Sequence, residues 1–195
     1  MSRARAEMIE DTRARLIASA RQAFATQGYA NTSMDDFTAR AGLTRGALYH
    51  HFGDKKGLLA AVVAQLDSEM DARLQRISDE ASDLWSGFCE RCRAYLRMAQ
   101  DDEIQRIVLQ DAPAVLGDTG SQQHCVESLR QLIEALMQAG AVPHVPSLAL
   151  AQLINGSLVS TALWIARDEH SDERLEQGLL GLELLLRGLS LTPTA

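Results

Sequence analysis

An all-α fold follows from three properties of the sequence. Apolar residues make up 46% of the 195 positions, aromatics only 5%, and Leu and Ala dominate the apolar set. There are four prolines and few runs in which Val, Ile or Thr alternate with polar residues, so no stretch supports a strand. Apolar residues recur instead at helical spacing along most of the chain. A chain of this length holds one ordinary domain, or a small and a medium one.

The first helix is expected over about 11–27, with Leu16, Ala20 and Phe24 at i, i+4 and i+8 and Gly28 as its stop. Ser33 caps a short second helix whose Phe37 and Ala41 share a face, and Gly42 ends it at positive φ. Leu43 plugs the junction. Thr44 then caps a third helix with Leu48 and Phe52 inward and Arg45, Gly46, Tyr49 and His50 outward. Two short helices around a tight Gly turn, the second with a polar outer face, have the geometry of a helix-turn-helix, whose second helix enters the DNA major groove. Lys55 and Lys56 open the next helix and offer ammonium groups to phosphate.

That fourth helix is expected over about 55–76, with Leu58, Leu59, Val62 and Leu66 inward. Its beginning belongs to a three-helix head too small to be stable alone, and its end to the body. The body continues with a helix at about 79–98, carrying Leu84, Trp85, Phe88, Cys92, Tyr95 and Leu96. A shorter helix opened by the acidic residues 101–103 follows, and is broken at Asp111-Ala112-Pro113. Residues 117–122 read as a loop. Leu129, Leu132, Ile133 and Leu136 mark another helix, closed by Gly140 before the turn at Pro143 and Pro146.

Residues 135–166 contain no Asp, Glu, Lys or Arg, and the helix within them, about 147–166, is long enough for a membrane span. Gln152, Asn155, Gly156, Ser157, Ser160 and Thr161 interrupt it and basic flanks are missing, so no membrane partner is expected; the helix reads as buried on more than one side. The last helix, about 172–189, sets Leu175, Leu179, Leu182, Leu186 and Leu189 on one face. These two helices offer more apolar surface than one body covers, which points to a homodimer through Leu158, Leu175, Leu179, Leu182 and Leu186.

The net charge of -7 divides unevenly. Residues 1–56 hold nine basic and six acidic side chains, for +3, and residues 57–195 hold ten and twenty, for -10. A basic head on an acidic body approaches a polyanion head first.

Residues 12–62 resemble the DNA-binding domain of the TetR family of transcriptional regulators. The likeness runs through G-Y-x-x-T-S (28–33), A-G-L-T-R-G-A-L-Y-H-H-F (41–52) and D-K-x-x-L (54–58). It implies an N-terminal helix-turn-helix domain over 1–56, with the motif at about 33–52, joined by a shared helix to a helical ligand-binding and dimerisation domain over 57–195. It implies groove and backbone contacts by Thr44, Arg45, Gly46, Tyr49 and His50, and phosphate contacts by Thr32, Ser33 and Lys55. The partners implied are a double-stranded DNA operator, a second copy of the chain and a small effector, with no cofactor.

The sequence holds no nucleophile elbow, Gly-rich phosphate loop or H-E-x-x-H, so an enzyme is not expected. Cys89-x-x-Cys92 lacks further ligands for zinc, because His124 and Cys125 are sequence neighbours that diverge on a helix; packing is the expected role of the pair. No apolar core follows Arg3 and Arg5, so there is no secretory signal and a cytoplasmic location is expected. Those two arginines form either a DNA-touching arm or a tail. His50 is expected to face out and His51 to pack beneath the third helix. His124, His144 and His170 show no partner in the sequence. An apolar or aromatic effector is expected within the body, bordered by Trp85, Phe88, Cys92, Tyr95, Met137 and Trp164, with Tyr95, Gln152 and Asn155 as orienting polar groups. Two alternatives stay open: an activator of the same fold, and a helical module that binds a protein partner and no operator.

Overall fold

The caps and glycine stops act where the sequence places them. In the computed structural model, which describes residues 3–117, 121–167 and 171–191, no strand occurs among the described residues. The helices are α1 (Arg3–Gln27), α2 (Met34–Ala41), α3 (Arg45–Phe52), α4 (Lys55–Asp79), α5 (Leu84–Met98), a π-helical segment (Ile104–Asp111), α6 (Ala112–Leu116), α7 (Ser121–Gln138), α8 (Ser147–Ala166) and α9 (Ser171–Arg187). Ser33 and Asp36 form a capping box on α2, Gly42 ends that helix at φ 62°, and the Thr44 side chain accepts the Ala47 amide to start α3.

Three boundaries differ from the sequence reading. α1 begins at Arg3 rather than near residue 11, because no Gly or Pro interrupts residues 3–27 and Ala, Arg and Glu propagate a helix readily. α5 starts at Leu84 rather than near 79, where the Asp83 carboxylate accepts the Ser86 amide at 2.9 Å and its hydroxyl at 2.7 Å. At Gly87 a Cβ would lie 2.7 Å from the Ser78 carbonyl oxygen, so only glycine lets α5 come this close to the end of α4. Pro113, expected to break a helix, sits in the first turn of α6, where its missing N–H costs nothing. Residues 118–120 of the expected loop, His170, and the side chains of Arg3 and Arg5 lie outside the described residues.

The chain forms two compact units, Met1–Asp67 with Arg106–Gly117, and Ser68–Gln105 with Asp118–Ala195. The first contains the 1–56 head and adds to it. Its core joins Leu16, Ala20 and Phe24 of α1 with Phe37, Leu48, Leu58, Leu59 and Val62, and Phe24 meets Phe37 edge-on at 5.2 Å. Ile107 and Ala112 are buried in the same core, with Val108, Val115 and Leu116 against it. The small head is therefore completed by Arg106–Gly117, which follows it only after the chain has passed through the second unit.

The second unit buries Phe88, Cys92 and Leu96 of α5, Ile133 and Leu136 of α7, and Ala151, Ile154 and Ile165 of α8. Arg93 of α5 pairs with Glu183 of α9. Arg174 packs its guanidinium over the Trp164 ring at 4.9 Å and donates to the Trp164 carbonyl at 2.6 Å, tying α9 to the end of α8.

Candidate nucleic-acid interface

α3 turns Leu48 into the core and leaves Thr44, Arg45, Gly46, Tyr49 and His50 exposed. A Cβ added at Gly46 would meet only the Thr44 hydroxyl, at 3.9 Å. The outer face is thus bare of side chain at its centre and flanked by a guanidinium, a phenol and an imidazole. Arg45 Nε lies 2.6 Å from Oδ1 of Asp35. His51 is half-buried, its ring 5.9 Å from Phe52.

The three residues expected on phosphate are occupied differently. The Lys55 ammonium donates to the Thr32 carbonyl at 2.5 Å and sits 4.2 Å from the centre of the Tyr29 ring. Burial lowers its pKa, against the opposing pull of Asp111 and Asp36. Thr32 is buried and donates its hydroxyl to the Tyr29 carbonyl at 2.9 Å. Ser33 donates its hydroxyl to Asp36 at 2.6 Å and accepts the Asp36 amide. Lys55 and Thr32 thus hold the α1–α2 turn against the start of α4, because a partly buried ammonium gains from acceptors nearby. Lys56, exposed beside them, carries the ammonium that faces solvent.

Residues 106–111 grip the same turn, which the sequence did not suggest. The Asp111 carboxylate accepts the Tyr29 amide at 2.7 Å, from 82 positions away. The Arg106 guanidinium lies against Gly28, where a Cβ would fall 2.0 Å from Nη2 and where φ is 76°. Gly28 is readable as a helix stop, but its second constraint comes from a segment too distant in sequence to leave a local signal.

The residues expected around an effector separate. Phe88, Cys92, Met137 and Asn155 are buried in the second unit, and Trp85 and Tyr95 are half-buried. Gln152 and Trp164 are exposed, on the outer side of α8, because their side chains project opposite to Ala151, Ile154 and Ile165. Arg91, passed over in the sequence, is 5% exposed; its Nη2 donates to Asp71 at 2.8 Å and to Ser128 at 3.1 Å, while Nη1 is buried without a partner. Burial raises the Cys89 thiol to about 11 and the Cys92 thiol to about 12, as inert packing residues require.

The residues expected at a dimer interface face inward. Leu158 of α8 is buried; on α9 Leu182 and Leu186 are buried and Leu175 and Leu179 half-buried, since α9 packs this stripe on its own unit. The opposite faces carry the exposed apolar residues: Leu153 and Trp164 on α8, and Leu180, Leu184 and Leu185 on α9. α8 is long and apolar enough to cross a membrane, and 28% of its most apolar window is buried within the chain.

A capped helix with a bare centre and exposed Arg, Tyr and His, seated on its own core, defines a helix-turn-helix DNA-binding protein. Comparison with known proteins agrees. Residues 16–62 match the family described as bacterial regulatory proteins, tetR family, and residues 85–189 match the tetracyclin repressor-like C-terminal domain. A solved TetR-family transcriptional regulator from Pectobacterium atrosepticum is 60% identical over the whole of both chains, with a TM-score of 0.91. The transposon Tn10 TetC protein of Escherichia coli is 28% identical over 161 residues, covering 80% of this chain and 81% of its own. The regulator TtgR of Pseudomonas putida is 38% identical over 86 residues, 43% of this chain and 41% of TtgR. The chain belongs to the TetR family of transcriptional regulators, and it is a DNA-binding regulator.

Proposed function

We propose that this regulator is a cytoplasmic homodimeric repressor, whose residues 1–56 read a palindromic operator and whose residues 57–195 bind a small apolar or aromatic effector that releases it. The observation that carries the DNA reading is the outer face of α3, where Arg45, Tyr49 and His50 surround the bare Gly46. Arg45 is the side chain suited to a bidentate contact with guanine O6 and N7, and Gly46 permits close approach of the backbone. Thr44 and Lys56 lie at the flanks, where phosphate contacts set register.

For the dimer, the exposed Leu153, Trp164, Leu180 and Leu184 supply an apolar face on two adjacent helices, the pattern from which a two-fold four-helix interface is built. For the effector, Phe88, Cys92, Met137 and Asn155 remain candidate contacts, with Trp85 and Tyr95 at their margin. The unpartnered Arg91 Nη1 is a donor available to an acceptor on the effector. The test is a gel shift of the full chain against the DNA flanking its own gene, followed by addition of small aromatic compounds. Retardation of a palindromic fragment, reversed by one compound that also changes Trp fluorescence, supports the reading. No retardation of any flanking or genomic fragment at moderate salt overturns it.

A further inference from the structure

Asp35 lies in the first turn of α2 and Arg45 is the first residue of α3, and the two meet across the helix-turn-helix with Nε 2.6 Å from Oδ1. Their side chains are 64% and 61% exposed, and neither has another partner among the described residues. An ion pair this exposed stabilises a fold little. Its geometric consequence is larger. A guanidinium is a planar fork of five N–H donors, and a carboxylate against Nε limits where that fork can swing. With the Asp35 carboxylate against Nε, both Nη groups are left for other acceptors. Two donors at that spacing match O6 and N7 of guanine.

We propose that Asp35 is a positioning residue for base recognition: it holds the Arg45 guanidinium with its two Nη groups presented to a guanine, and so sets the preference at that base pair. This rests on the reading of Arg45 as a base-contacting residue. Held by a carboxylate, Arg45 is drawn less toward phosphate, so Asp35 exchanges some affinity for any DNA against discrimination. A merely structural Asp35, acting on the α2 helix dipole, would behave otherwise. Its removal would weaken α2 and lower affinity for every sequence alike, whether or not Arg45 were present.

The experiment uses the full-length protein. Duplexes selected from a randomised DNA pool define the preferred site of the wild type. Dissociation constants are then measured by fluorescence anisotropy for that duplex, for its single-base variants and for a random duplex, with wild type, Asp35→Asn, Arg45→Ala and the double variant, alongside their melting temperatures. Arg45→Ala is expected to flatten the preference at one G·C pair. Asp35→Asn is expected to lower the preference at that same pair by roughly 3- to 10-fold, a part of what a bidentate contact supplies. Binding to the random duplex should be unchanged or tighter. In the Arg45→Ala background, Asp35→Asn should leave base preference as it finds it. The proposal is overturned if Asp35→Asn keeps the wild-type preference, weakens all duplexes equally, or sharpens discrimination as relief of an inhibitory pair would. If instead Arg45→Ala retains full preference at every position, the base-reading role of Arg45 is what fails.

Discussion

Leu184→Glu and Leu186→Glu should part company, although the residues are two positions apart on one leucine-rich helix. Leu184 is 72% exposed in the single chain and Leu186 2%. A glutamate at 184 meets water in the isolated protomer and leaves its fold intact. If α8 and α9 form the dimer interface, two-fold symmetry buries the substitution twice. Each lost leucine contact is worth about 2 kcal/mol, so the dimer weakens by about 4 kcal/mol, close to a thousandfold, before any cost of burying the carboxylate. A glutamate at 186 faces the protomer's own core beside Leu182 and should destabilise the fold itself by several kcal/mol. Light scattering over a dilution series, with circular dichroism and thermal melting, separates the two. The expected outcome is a folded, concentration-dependent monomer for Leu184→Glu that has lost operator affinity, and an unfolded or aggregated Leu186→Glu. A Leu184→Glu protein that stays dimeric at low micromolar concentration would refute the outward face as the interface.

Gly46→Ala should stabilise α3 by up to about 1 kcal/mol, since the added methyl has room, yet weaken operator binding if the backbone approaches the groove there; melting and anisotropy on one sample read both. Lys56→Ala should reduce the slope of log affinity against log salt by about one charge, whereas Lys55→Met should chiefly lower the melting temperature, because the Lys55 ammonium is spent on Thr32 and Tyr29. Gly28→Ala should destabilise the first unit, since the new Cβ needs positive φ and collides with the Arg106 guanidinium; the companion Arg106→Ala should relieve only the second part. A thiol-specific reagent at pH 8 should modify Cys125 alone in the folded protein and all three cysteines in denaturant, as Cys89 and Cys92 are buried with raised pKa values.

What the sequence made legible was chemistry settled within a few residues. The Ser33 and Thr44 caps, the Gly28 and Gly42 stops and the inward Leu48 each follow from local stereochemistry, and the structure has them as read. What escaped was set by distant neighbours. Lys55 has the side chain of a phosphate ligand, and nothing in its own segment shows that the Thr32 carbonyl and the Tyr29 ring stand close enough to take it. On α9, leucines occupy both stripes, 175-179-182-186 and 180-184-185, so periodicity marks two apolar faces without telling which one the protomer keeps. Trp164 as a large apolar side chain and Gln152 as an orienting polar group suit an effector by composition, but a helix without charge all round has no polar face to fix its rotation. Residues 106–117 carry the composition of a body helix, and only packing reveals that Ile107 and Ala112 belong to the core of the head.

That last placement bears on how an effector would act. Because the first unit takes in Arg106–Gly117, the chain passes between the two units three times: within α4 after Asp67, within the π-helical segment after Gln105, and after Gly117. A single flexible linker would leave the head indifferent to the body's conformation. Here two of the three crossings fall within hydrogen-bonded helix, α4 and the π-helical segment. One crossing continues into the Arg106 and Asp111 grip on the α1–α2 turn, and the other into the helix whose first residue, Lys55, holds that turn from the far side. The same turn is therefore held by both strands of the connection, and it leads directly into the Ser33 cap of the helix-turn-helix. Under the proposed function, an effector that binds two body conformations unequally would bias operator binding by no more than its own ratio of affinities, and operator DNA would bias effector binding by the same factor in return. Under the proposed function, paired heads would match half-sites about 34–36 Å apart, so an effector that altered their spacing by a few ångströms would be enough to release the operator.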